Sequence, residues 1–247
     1  MTVKGCRTRI LVGGVDLSGD TNTVGVNVQG RAIEYGVLQD CDVRRLPLSP
    51  QGVIEHNGYY TGPSAGKIEA ELHTYLGSTT GVHVATIYDT NGTIPFAYVQ
   101  DMAFNQRLAI NAQVGQLITV AGNWPTLKSS GARMYRGYQV AGAAVTGTGA
   151  VTGIDFGAAG SDGGKAFVFV TSITGSATNA TITIESDTDS GHGTTATEGT
   201  ATFSAVGCQE VTLSGTVNRY VRANVTSLGG ATGFTFFAIV CLSGVTY

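Results

Sequence analysis

The chain has 247 residues, a net charge of −3, 36 glycines and only 13% charged residues, about half the usual charged share. Such a composition excludes a chain built of long surface helices, since these need Lys, Glu, Ala and Leu, and its low charge with positive mean hydropathy excludes general disorder. No basic run occurs, and Lys165, Arg219 and Arg222 are outnumbered by seven carboxylates after Tyr138, which excludes gripping nucleic acid by phosphate neutralisation.

The elements follow as short strands between turns. The opening Met1-Thr2-Val3-Lys4-Gly5 lacks an apolar signal core, so function without export is expected. Arg9–Val12 reads as a strand, Gly13–Asp20 as a turn-rich loop, Val24–Val28 as the next strand, and Glu34–Val43 as its continuation. Arg44–Pro63 holds Pro47 and Pro50, which a central strand does not accommodate, so a long contact-making loop is expected there. Ser64–Leu76 is the one helix candidate. Ala65, Ile68, Leu72, Tyr75 and Leu76 form its apolar stripe, Ser64 its cap and Gly77 its left-handed end.

Val82–Tyr88 and Ile94–Val99 form a hairpin about Asp89-Thr90-Asn91-Gly92. Phe104–Ile110 and Gly115–Ala121 are two further strands, and Trp124, the only tryptophan, is expected to anchor a rim. The Gly, Ala, Val and Thr of residues 140–153 read as a linker between a domain at 1–139 and another at 154–247. In the second part Lys165–Ile173, Ala180–Ser186, Ala201–Val206 and Glu210–Leu213 are strands, with Asp187–Gly193 as a turn. Val217, Val221, Ala223 and Val225 alternate with Asn218, Tyr220, Arg222 and Asn224, the period of a half-buried strand. Phe234–Leu242 is apolar on both faces and reads as a strand covered twice. The fold class is therefore mainly β: an N-terminal β-sandwich or barrel with one helix (64–76), and a C-terminal antiparallel β-sandwich.

Chemistry is absent from this pattern. Cys6, Cys41, Cys208 and Cys241 have no zinc or redox spacing and read as buried thiols, with a Cys208–Cys241 bridge as the alternative. His56, His73, His83 and His192 are too dispersed for a metal site and suit surface or edge positions. Gly163-Gly164-Lys165 lacks the rest of a phosphate loop, and Asp187-x-Asp189-x-Gly191 lacks the closing Glu of a calcium loop. Glu69 and Glu71 point apart on a helix, a poor acid–base pair. No enzyme, cofactor, metal site or membrane insertion is expected. Arg44 and Arg45 suit a partner carboxylate as well as a ligand.

Asp16-Leu17-Ser18-Gly19 after an Ile-Leu-Val strand, then strands, a long loop, one helix and a run of hairpins, resembles the tail tube (major tail) proteins of long-tailed, non-contractile bacteriophages. The second half, from Ile182-Thr183-Ile184-Glu185-Ser186-Asp187-Thr188-Asp189 to Gly215-Thr216-Val217-Asn218-Arg219-Tyr220-Val221-Arg222 and a last apolar strand, resembles a module appended to such proteins. The resemblance implies a structural virion protein assembled in the host cytoplasm. It would form rings, usually of six, stacked into a tube around a common β-barrel, with the helix outside and genomic DNA passing within. Its partners would be itself and other tail proteins. The appended domain would decorate the outside, where host surface glycans are a candidate ligand. The long loop would reach the adjacent ring, through Arg44, Arg45, Leu46, Leu48, Ile54, Tyr59 and Tyr60. A capsid decoration protein, a tail-tip protein and a carbohydrate-binding or adhesion module with a Tyr59, Tyr60 and Trp124 platform are the alternatives.

Overall fold

The computed structural model describes residues 8–35, 44–89, 94–127 and 133–243, with the side chains of 30–51 outside the description. The fold is mainly β with one short helix, as expected. In chain order the elements are β1 (Thr8–Val12), β2 (Val15–Asp16), β3 (Thr21–Tyr35), β4 (Arg44–Tyr59), α1 (Ile68–Thr74), β5 (Val82–Tyr88), β6 (Phe96–Ala103), β7 (Arg107–Asn111), β8 (Thr119–Pro125) and β9 (Met134–Val145). There follow β10 (Gly149–Ala150), β11 (Ile154–Asp155), β12 (Gly164–Gly175), β13 (Ala180–Asp187), β14 (Ala196–Phe203), β15 (Gly207–Leu213), β16 (Tyr220–Ser227) and β17 (Ala231–Leu242). They fall into two compact units, one of residues 1–19, 85–99 and 135–247, the other of residues 20–84 and 100–134.

The first unit is organised around β17. Its side chains alternate between two cores, as a strand of period two requires. Phe234, Phe236, Ala238, Val240 and Leu242 enter one core, with Ile182, Ile184, Val221, Ala223 and Val225 of β13 and β16 opposite. Phe237, Ile239 and Cys241 enter the other, with Leu11, Ile87, Val99, Phe167 and Phe169. The first core lies between an eight-stranded sheet, ordered β15-β12-β17-β9-β6-β5-β1-β2, and a sheet ordered β10-β16-β13-β14. The second is shared by strands from both halves of the eight-stranded order, so that sheet curls on itself. Its edges approach at Gly14, where an added Cβ would stand 2.3 Å from the Gly207 nitrogen. A sandwich and a nearly closed barrel thus share one sheet.

Residues 140–153 do not serve as a plain linker. Gly142, Ala143 and Ala141 of β9 stand opposite Phe237, Phe236 and Ala238 of β17, so their small size answers the bulk of the phenylalanines. Consequently β12, β15 and β17 share a sheet with β1, β2, β5, β6 and β9. The Asp16-Leu17-Ser18-Gly19 motif is a local clamp. Asp16 Oδ1 accepts the Ser18 N–H at 3.0 Å, Ser18 Oγ accepts the Ile10 N–H at 3.0 Å, and Leu17 is buried. Cys208 and Cys241 are not disulfide-bonded, because they oppose Phe169 and Lys165 on different sides of β12. Asp187 and Asp189 spend their carboxylates on the backbone N–H groups of the hairpin turn expected there, which hold the Asp187 carboxyl below its ordinary pKa. Cys6, Cys41, residues 36–43 and the Thr90-Asn91-Gly92 turn lie outside the described residues.

The second unit is a four-stranded sheet ordered β3-β4-β8-β7 with α1 on one face. The expected long loop is therefore mostly strand: β4 pairs with β3 from Arg44 to Gly58 and with β8 from Val53 to Tyr59. The prolines are tolerated because residues 44–52 have a neighbour on one side only. Pro47 stands opposite Ala32, and Pro50 falls at the register shift between Gln29 and Arg31. The helix is shorter than the sequence suggests. Gly66 takes φ +81° and breaks the first turn, so Lys67 is the cap residue, Ser64 and Ala65 lie outside, and Leu76 is exposed. Gly77 ends it at φ +66°, as expected. Helix and chain entry crowd Gly58, where a Cβ would meet the Asp20 oxygen at 2.2 Å and Ile68 Cδ1 at 2.7 Å. Gly58→Ala is expected to lower stability by about 1–3 kcal/mol through overpacking, read as a lower urea midpoint.

Candidate functional site: the two faces and two ends of the four-stranded sheet

Alternation along β3, β4, β7 and β8 sends two different residue sets to the two faces. Toward α1 go Ile54, His56, Val120, Gly122 and Trp124; Ile54, Val120 and Trp124 are fully buried together with Ile68 and Leu72 of the helix. Gly122 is the contact point, since a Cβ there would stand 2.0 Å from Leu72 Cδ2. Trp124 Nε1–H donates to His56 Nδ1 at 2.9 Å, and the rings stack 6.0 Å apart. Tyr75 meets the indole edge-on at 6.0 Å. Burial holds the His56 pKa down at about 4. The imidazole is therefore neutral with its proton on Nε2, and Nε2 has no hydrogen-bond partner.

This overturns two expectations. Trp124 is a core residue and not a rim anchor, and His56 is not at a surface or edge. A Tyr59, Tyr60 and Trp124 platform does not exist, because the indole is wholly enclosed.

The opposite face is polar. Gly25, Glu55, Asn123 and Arg107 form one row across the four strands, and Thr23, Asn57, Ala121 and Ala109 the next. Gly25, Ala109 and Ala121 are too small to fill their positions. The taller side chains therefore wall a recess of about 270 Å³ lined by Thr23, Glu55, Asn57, Arg107 and Asn123. The amide oxygens of Asn57 and Asn123 have no protein partner. One carboxylate and one guanidinium balance the charge of this face. It can be wetted, and it has no excess charge with which to hold an anion.

The ends of the sheet differ as well. At one end β3 and β4 run on together, beyond the last pairing to β8 at Val53. Residues 44–52 make this stem about 30 Å long at the usual strand rise. At the other end β4 finishes against the β7–β8 connection, Tyr60 N–H donating to the Ile118 oxygen at 3.0 Å. Of the seven residues expected to make inter-ring contacts, Arg44, Arg45, Leu46 and Leu48 lie on the stem. Ile54 is fully buried, and Tyr59 and Tyr60 sit exposed at the far end. The structure thus separates residues that the sequence grouped.

Sequence reasoning missed the polar row Glu55, Asn57, Asn123 and Arg107, whose signal was period-two alternation across four separate strands. It also missed the exposed β7–β8 turn, because Leu117 and Ile118 looked like strand residues.

No protein-family model matches the chain, and no curated protein does. Among solved structures it is similar to the tube-terminating cap of the anti-feeding prophage, at 10% identity and TM-score 0.40 over 56% of this chain and 92% of that one. It is also similar to the sheath/tube terminator of the extracellular contractile injection system PVC, at 15% identity and TM-score 0.39 over 54% and 96%. The Dit protein of phage SPP1, titled a hub adsorption apparatus protein of phages infecting Gram-positive hosts, aligns at 11% identity and TM-score 0.35 over 94% and 98%. At these scores the overlap is partial and carries no function with it.

Proposed function

We propose that this chain is a structural subunit of a phage-tail-type tube, which assembles with copies of itself and with other tail proteins. One observation carries the reading: among the described residues, the four-stranded sheet has open edges at β3 and β7 and a stem projecting from one end. An open edge is a row of unpaired N–H and C=O groups, and closing a ring of copies edge to edge removes it. Pairing β7 of one copy with β3 of the next continues the sheet into a barrel. The helix-covered face then turns outward and the polar face inward. An inner wall of Thr23, Glu55, Asn57, Asn123 and Arg107 suits passing DNA, because a near-neutral polar surface releases no counterions and so does not hold the duplex. The stem, with Arg44, Arg45, Leu46 and Leu48, reaches along the tube axis to the adjacent ring.

The test is to replace residues 31–48 by Asn-Gly, joining Gly30 to Ser49 through a two-residue turn. Trp124 fluorescence and circular dichroism are expected to stay native, while electron microscopy shows rings that no longer stack. Tubes as long as those of the parent protein would contradict the role of the stem.

A further inference from the structure

The end of the sheet opposite the stem is the least polar exposed surface of the molecule. Tyr59, Tyr60, Ile110, Val114, Leu117 and Ile118 supply six of the nine large apolar side chains that stand exposed among the described residues. They are gathered by pairing: Tyr59 opposes Thr119, Ile110 opposes Val120, and Tyr60 is hydrogen-bonded to Ile118. Val114 heads the turn, fully exposed, with Gly115 behind it at φ +78°. No charged residue occurs from Leu108 to Leu127. A patch of this kind marks an interaction surface.

The same chain carries a matching apolar element at the other end. Ala32, Ile33, Leu46, Pro47 and Leu48 lie on the stem, with Ile33 in register with Leu46, and Leu46 and Leu48 share one face of β4. A two-stranded ribbon cannot bury an apolar face by itself. The two surfaces lie at opposite ends of one strand axis, so one copy's stem can meet another's patch and the contact repeats. That geometry is heterologous and open-ended. We infer that the Tyr59, Tyr60, Ile110, Val114, Leu117 and Ile118 patch is the receptor for the β3–β4 stem of a second copy of this chain. The assignment rests on the tube reading and specifies its axial contact.

A complementation experiment tests it. The patch variant is Val114→Asp with Leu117→Asp, and the stem variant is Leu46→Asp with Leu48→Asp. Both changes of the patch variant are on an exposed turn, so its fold is retained, and Trp124 fluorescence checks both proteins. Each variant alone is expected to give single rings by sedimentation velocity and electron microscopy. An equimolar mixture is expected to give paired rings, since one partner keeps an intact stem and the other an intact patch. Paired rings from the stem variant alone would show that patch meets patch and would overturn the assignment. Tubes from the patch variant would overturn it while leaving the tube reading intact, whereas a parent protein that stays monomeric overturns both. Co-sedimentation of the parent protein, but not the patch variant, with phosphatidylcholine–phosphatidylglycerol vesicles would replace the second copy by a lipid surface.

Discussion

Acidification from pH 7 to pH 4 is expected to cost the second unit about 3 kcal/mol of stability through His56 alone. The folded protein keeps this imidazole neutral down to about pH 4 because it is buried, and the Trp124 N–H occupies Nδ1. In the unfolded chain it takes up a proton near its ordinary pKa of 6.5. The unfolded state thus binds more protons between these values, so stability is full above pH 6.5, falls as the pH drops toward 4, and loses nothing further from His56 below that. Trp124 is the only tryptophan and lies in this core, so urea unfolding followed by its fluorescence reports on this unit. The His56→Gln variant, which retains an acceptor for the indole, is expected to be flatter over the same window. Equal slopes in the two proteins would remove His56 as the source.

The second large effect is expected from Trp124→Ala, a loss of about 3–5 kcal/mol. The indole is fully buried against Ile54, Ile68 and Leu72, and its removal leaves a cavity as well as a bare His56 Nδ1. Tyr59→Ala and Tyr60→Ala, at 39% and 37% exposure, are expected to stay within about 0.5 kcal/mol of the parent protein. A pair of urea titrations separates the outcomes, because a rim tryptophan would behave like the tyrosines. Should Trp124→Ala prove as mild as they are, the enclosed His56–Trp124 pair is wrong.

Where local pattern and tertiary setting agreed, the fold was legible. Strands β16 and β17 were readable from alternation at Val217–Val225 and from unbroken apolarity at Phe234–Leu242, since each pattern has one structural solution. Residues 44–52 were misleading because proline excludes a central strand but not a ribbon with one open side. Residues 140–145 were misleading because Gly and Ala signal flexibility until phenylalanines are known to stand opposite. The second unit's surfaces were the least legible. Glu55, Asn57, Arg107 and Asn123 come from three strands, and only the register brings them into one recess. Tyr59 and Arg44 are near in sequence, yet a strand of 16 residues holds them about 50 Å apart.

The measurement that bears most directly on the tube reading is electron microscopy of the purified protein over a concentration series, with sedimentation velocity on the same samples. Rings with a central channel, stacking into hollow tubes as concentration rises, are the expected result. A single species of one to three copies at every concentration would contradict it, because open β3 and β7 edges and an axial stem would then have no partners to close them.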